Sequence, residues 1–241
     1  MTMAAMQNAN LMTLPPLRQV SQPTVADQVF DILQQRILTL ELAPGTKISE
    51  TDVATQIGVS RQPVREAFKR LAKLGFLHIR PQSGTTVTLI SEASVVKSRF
   101  IRLALEVQTC RSACTHMAPD GLAELSDLLD RQRAVIANDD RQTFHALDDA
   151  FHNQICVSAG VGFAWEVISE NKAHMDRVRM LSLDTASQNL ALDEHVAIFD
   201  ALSCRDEAAA IAAITAHLSR ILALVDRLKT ENHSWFTDAL A

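Results

Sequence analysis

The stretch SETDVATQIGVSRQPVREAFKRLAKLGFLHIRPQSGTTV, residues 49–87, carries its own punctuation. Ser49 followed three residues later by Asp52 reads as a variant capping box, opening a short helix with Val53 and Ile57 on one face. Gly58 breaks that helix, and Ser60 is placed to cap the next. From Arg61 onward, Val64, Ala67, Phe68, Leu71 and Leu74 recur at the spacing of one helical face, and Gly75 stands where a C-terminal glycine stop belongs. The opposite face carries Arg61, Gln62, Arg65 and Lys69, with the two arginines four apart and so on one side. Two short helices joined at a glycine, the second basic at its start, describe a helix-turn-helix that presents N-terminal side chains to base edges in a major groove. Arginine suits that task because its fork donates twice to guanine O6 and N7. Past Gly75, FLHIR and TTVTLI are rich in β-formers and separated by PQSG, which predicts a hairpin wing whose Gly84 can approach a backbone closely. A surface helical hairpin with solvated arginines is the plainer alternative, and the capping, the basic face and the wing together argue against it.

Upstream, Thr24 and Asp27 resemble another capping box, and the helix they open places Val25, Val29, Ile32, Leu33, Ile37 and Leu40 at helical spacing. Pro44-Gly45 then turns the chain into the motif. Residues 1–22, polar or small with Pro15 and Pro16, are expected to be a disordered arm. The net charge of −5 argues against a nucleic-acid binder until it is divided. Residues 1–90 hold nine Lys/Arg against six Asp/Glu, a balance of +3, and the rest holds fourteen against twenty-two, a balance of −8. The positive charge lies with the motif, and an acidic remainder would be repelled by DNA, so two domains with different partners follow.

Beyond Ile90 no strand signal persists. Ser91 is placed to cap a linker helix running into FIRLALEVQTCRSACTHM, and Pro119-Asp120-Gly121 interrupts before LAELSDLLDRQRAVIA forms the next. Further helices are expected over roughly 140–159, stopped by Gly160, then 163–183, 189–203 and 206–229. The predicted fold is therefore mainly α: an N-terminal winged helix-turn-helix over 23–90, an antiparallel α-helical bundle over 91–232, and a tail over 233–241. A hydrophobic content of 47% is ample for a core, and no apolar run approaches the roughly 20 residues of a membrane span. The N-terminus lacks the basic start and apolar block of a secretory signal. Cys110, Cys114, Cys156 and Cys204 show no zinc-type pairing, so reduced thiols and a cytoplasmic location are expected.

Seven of the eight histidines lie in the second part. In FHALDDAFHNQI the stripe of Phe144, Leu147, Phe151 and Ile155 has Asp148 and His152 within or beside it. His195 falls between Leu192 and Ile198, and His217 lies between Ile214 and Ile221. Three helices thus turn a carboxylate and three imidazoles toward buried faces. A carboxylate buried without partners costs several kcal/mol, about enough to require compensation. A divalent ion supplies it, because an Asp oxygen and three His nitrogens suit zinc, nickel, manganese or iron. Taken singly, each histidine fits a satisfied core residue as well, and the pattern alone leaves both readings open.

The stretch LAPGTKISETDVATQIGVSRQPVREAFKRLAKLGFL, residues 42–77, closely resembles the DNA-binding signature of the GntR family of bacterial transcription regulators. That resemblance implies DNA contacts from Arg61, Arg65 and the wing Gly84, with Ser60 and Gln62 near the phosphates; Thr51 stands where some members carry an arginine. From about Val95 to Leu228 the chain resembles the FCD effector domain of the FadR-like subgroup, through RLALE at 102–106, DDAFHNQI at 148–155, EHVAIFDAL at 194–202 and AITAHL at 213–218. The resemblance implies a metal site of Asp148, His152, His195 and His217, with zinc the first expectation. Asp148 is preferred to Asp149 because the family spacing to His152 is four. It also implies a cavity for a small organic or sugar acid, with Arg102 facing the carboxylate. Arg102 paired with Glu106 on the helix surface is the competing reading, and Arg177 and Arg179 are weaker candidates for the same task. Val161 departs from the asparagine that often follows Gly160, and His116, His145 and His174 are left exposed or structural.

The expected function is a ligand-responsive transcription regulator, a repressor released by its effector. It acts as a homodimer on a pseudo-palindromic operator and has no membrane partner. A metal-dependent enzyme or a pure metal sensor could use the same Asp/His set. No separate general base is evident for the enzyme.

Overall fold

The computed structural model describes residues 22–80, 84–231 and 233–238. The arm expected over 1–22 falls almost wholly outside them, as does the wing tip Pro81-Gln82-Ser83.

Helix α1 (Val25–Leu38) opens on the expected capping box, with the Thr24 hydroxyl accepting from the Asp27 amide and the Asp27 carboxylate accepting from the Thr24 amide. Strand β1 (Lys47–Ile48) leads to α2 (Glu50–Ile57), which Ser49 caps through the Asp52 amide. Gly58 ends α2 in the left-handed region, at φ 77°. Helix α3 (Arg61–Lys73) follows, with Ser60 at its N-cap position. Contrary to expectation, the Ser60 side chain makes no cap hydrogen bond, which leaves its hydroxyl facing outward. Strands β2 (Leu77–Arg80) and β3 (Gly84–Val87) form the wing, and β1 adds to β3 in an antiparallel sheet of order β1-β3-β2. Val29, Leu33, Ile37, Val64, Phe68 and Leu71 make the head's core, each 3% exposed or less. Burying each such side chain contributes about 1.5–3 kcal/mol.

Ser91 caps α4 (Glu92–His116), in which the expected linker helix and FIRLALEVQTCRSACTHM run together as one 25-residue helix. Pro119 does not interrupt; it is the first residue of α5 (Pro119–Ile136), because its fixed φ suits a first helical turn. Helix α6 (Arg141–Ser158) and α7 (Phe163–Asn171) follow. The helix expected over 163–183 is broken at Lys172, giving a separate α8 (Ala173–Ser182). At the break Lys172 turns inward, its Nζ 2.6 Å from both Asp149 and Asp176. Helix α9 (Thr185–Ser203) starts before Asn189 because Asp184 caps it through the Ser187 amide. Helix α10 (Glu207–Glu231) is, by length and composition, apolar enough to cross a membrane. That qualifies the sequence reading of apolar runs. In this fold α10 packs against α4, α8 and α9, and its His217, Ser219 and Arg220 find partners inside the bundle.

A strand pair replaces the loose junction and tail. Strand β4 (Ile90–Ser91) runs parallel to β5 (Phe236–Thr237), so the chain's end docks beside the linker with Phe236 buried. Among the described residues all four cysteines are free.

Candidate functional site

On the head, Arg61, Gln62, Arg65 and Lys69 all lie exposed on α3, and Gly84 lies exposed at the start of β3. A Cβ built on Gly84 meets nothing within 4 Å, and its φ of +97° is one that side chains avoid, so the wing stays bare. Glu50 of α2 tethers the two arginines, 3.5 Å from Arg61 and 3.2 Å from Arg65. Such exposed pairs are weak and break easily, so the carboxylate holds the guanidiniums in place without committing them.

Inside the bundle, the ligating atoms of Asp148, His152, His195 and His217 all lie within 4.8 Å of one another, and every one of the four residues is buried. His152 and Asp148 come from α6, His195 from α9 and His217 from α10. His152 Nε2 lies 3.1 Å from His217 Nε2 and 3.9 Å from Asp148 Oδ2, and His195 Nε2 lies 3.4 Å from Asp148 Oδ1.

The outer edges of the three rings explain this crowding. Gln132 of α5 donates its amide to the Leu147 carbonyl, which turns Oε1 toward His195 Nδ1 at 2.8 Å. Glu194 Oε2 is 2.7 Å from His217 Nδ1, and Glu106 Oε2 is 2.6 Å from His152 Nδ1. Gln132 and Glu194 draw the ring protons of His195 and His217 outward, so their inward Nε2 atoms present lone pairs, and Glu106 stands at the corresponding edge of His152. Burial above all keeps His195 and His217 neutral, holding their pKa well below the usual value. Burial opposes charge on Asp148 too, but Arg179 and then the imidazoles outweigh it and hold that carboxyl well below its ordinary range. Three ring nitrogens converge beside a carboxylate, a donor set that a divalent cation would satisfy.

The spacing fits one. Bonds of about 2.0–2.2 Å in a tetrahedral site place ligand atoms about 3.3–3.6 Å apart. Three of the separations, 3.1, 3.4 and 3.9 Å, bracket that range, and all four ligating atoms lie within 4.8 Å of one another. A second trio, His145, Asp149 and Asp176, is equally compact, but Lys172 already bonds both of its carboxylates. A metal would be repelled there. His145 and His174, left exposed or structural by the sequence, are both buried, and His174 accepts from the Ser91 amide. His116 is exposed.

Arg102 is not on the surface. It is 1% exposed and bonded to Glu106 at 2.6 Å, so the expected pair exists but lies inside, behind the histidines. Arg179 grips Asp148 directly, whereas Arg177 turns away to the Thr88 carbonyl. A cavity of about 20 Å³ is lined by Arg102, Met175, Arg179, His217, Arg220 and Ile221, among others. Glu106, Gln132, Glu194 and Arg220 are the site residues that the sequence reading did not single out. Gln132 had a signal, standing on the apolar stripe of Leu125, Leu128, Leu129 and Ile136.

A winged helix-turn-helix head with a bare basic face, joined to a helical bundle with a buried His/Asp cluster, is the build of a DNA-binding regulator. Residues 25–87 match the family described as bacterial regulatory proteins, gntR family, and residues 99–220 match the FCD domain. The chain is 39% identical over 228 residues to the HTH-type transcriptional repressor RspR of Escherichia coli (strain K12), covering 94% of this chain and 100% of that protein. It is 28% identical over 204 residues to the Nta operon transcriptional regulator of Aminobacter aminovorans, covering 81% and 94%. The solved structure of E. coli McbR/YncC shares the fold, with a TM-score of 0.74 at 21% identity over 86% of this chain and 99% of that one. The chain belongs to the GntR family of transcription regulators, in the branch that carries an FCD domain. These relatives are regulators, not enzymes.

Proposed function

We propose that this regulator is a repressor whose bundle binds a divalent ion, zinc first, together with a small organic or sugar acid that releases it from its operator. The single observation that carries the reading is the inward convergence of three buried imidazoles on Asp148, with Glu106, Gln132 and Glu194 at the opposite ring edges. Asp148, His152, His195 and His217 would hold the ion, which supplies a positive centre for an acid's carboxylate. Zinc is satisfied by four such ligands, whereas nickel, manganese or iron leave further positions open. Arg102, Arg179 and Arg220 line the adjoining cavity, the cations a carboxylate would pair with.

At the other end, Arg61 and Arg65 are the side chains for base edges, Ser60 and Gln62 lie beside the phosphates, and Lys69 and Gly84 flank them. A homodimer would set two such heads on half-sites about one helical turn apart. Neighbouring helices offer a face for it. Val96 and Phe100 of α4 and Phe163 and Val167 of α7 stand 48%, 71%, 68% and 46% exposed. The Ser98 bond to Asn171 at the end of α7, and the Ser112 bond to Ala159 just ahead of it, set the two helices antiparallel.

The metal half is tested by elemental analysis of purified protein. About one divalent ion per chain is expected, with a loss of most of it when His195 and His217 are both replaced by alanine. Full retention in that variant would remove the cluster from the account.

A further inference from the structure

Helix α8 belongs to both halves of the molecule. One of its sides carries the neighbours Ala173 and His174, then Arg177 and Met180 at steps of three. Ala173 and Met180 complete the head's apolar core, His174 accepts from the Ser91 amide at 3.2 Å, and Arg177 donates to the Thr88 carbonyl at 2.8 Å. Thr88 in turn donates to the Gly75 carbonyl at 2.6 Å, at the exit of α3. Two residues along, or about 200° around the axis, comes a second stripe of Met175, Asp176 and Arg179. Met175 and Arg179 wall the small cavity, and Arg179 grips Asp148.

The cavity's size decides which wall must move. About 20 Å³ has room for one water, so no carboxylic acid enters without displacing a wall. Two walls are α4 and α10, 25 residues each and packed along one another. The third is α8, 10 residues long and separated from α7 at Lys172. Its hold on the site is Arg179, whose partner Asp148 is also wanted by an ion. The Nη1 of Arg179 makes no hydrogen bond, with Asp149 Oδ1 3.5 Å and Asp176 Oδ1 3.8 Å away and themselves unbonded. A second resting place for the guanidinium is thus prepared beside the first.

We infer that Arg179 is the residue that senses occupation of the site, and that α8 carries its displacement to the head through a joint made by Arg177 with Thr88 and His174 with Ser91. The inference rests on the metal and acid reading for its trigger. The joint itself rests on contacts seen in the fold. Arg177 suits a joint: it is fully buried with no carboxylate partner, and its Nε and Nη2 are unbonded, so its seat is weakly satisfied and easily shifted.

The test is hydrogen exchange on the full chain with and without zinc alone as probe, zinc uptake being followed separately by calorimetry. Zinc should change exchange at least about fivefold both within 173–182 and within 75–91 of the head, the lower end of ordinary site-to-site coupling. In Arg177→Met the change should stay within the bundle. A wild-type response that stops at α8, or a head response that survives Arg177→Met, overturns the inference, and the wild-type result alone decides should that variant not fold. Should calorimetry show no zinc uptake, the metal reading fails instead, and the joint is judged by unfolding. One shared transition in wild type that separates into two in Arg177→Met supports it, and separate transitions in wild type overturn it.

Discussion

Gln132 never approaches the centre of the cluster, yet it decides which nitrogen of His195 faces inward. Its amide is fixed by the Leu147 carbonyl, so only Oε1 is left for the ring. Replacing it by leucine keeps the shape and removes the acceptor. The His195 tautomer is then no longer set, and zinc affinity by calorimetry should fall about 10–100-fold with the fold's melting behaviour retained. Unchanged affinity would mean the outer bond does not matter. At this scale the sequence was legible in part. Asp148, His152, His195 and His217 stood out because ionisable groups on apolar stripes are rare, and the structure brings the four together. Their partners were hidden for a physical reason: Glu106, Gln132 and Glu194 act across helices, and periodicity within one helix says nothing of what faces it. Arg102 shows the same limit, since a spacing of four to Glu106 is identical on a surface and in a core.

Among the elements, α8 was the least readable. Its break from α7 falls at Lys172, with no glycine or proline there to mark it. Helix α3 was the most readable, because its apolar and basic faces separate cleanly and its stop is a glycine. That glycine also serves the junction: at φ +84° Gly75 leaves room for His174, whose Nε2 would stand 3.1 Å from any Cβ there. His174 makes the junction acid-sensitive. Burial, with Arg177 beside it, pushes its pKa from 6.5 down to about 4, so the folded protein keeps the ring neutral. As pH falls below 6.5 the unfolded chain takes up a proton that the folded chain refuses, and stability drops until about pH 4. Between pH 7 and 5 the wild type should lose about 2 kcal/mol more than His174→Gln, which keeps an acceptor for Ser91 without a titrating ring. Urea midpoints at the two pH values measure it, and equal losses would place the ring's burial in error.

For the whole molecule, the division of charge seen in the sequence corresponds to two cores, one in the head and one in the bundle. Local patterns found both. What they could not show is that Ala173 and Met180 of the bundle complete the head's core, or that β5 returns to lie beside the linker strand β4. Contacts between residues so far apart in the chain leave no period behind. They nevertheless decide whether the protein is two independent modules or one coupled device. A single titration tests the coupled reading most directly: affinity for a selected operator duplex, at fixed salt with zinc present, before and after adding a small carboxylic acid that stabilises the bundle in a thermal-shift screen. The account predicts an affinity change of roughly 5- to 150-fold in wild type and none in His195→Ala. Operator affinity unmoved by an acid that demonstrably binds, or a response that persists in His195→Ala, would contradict it.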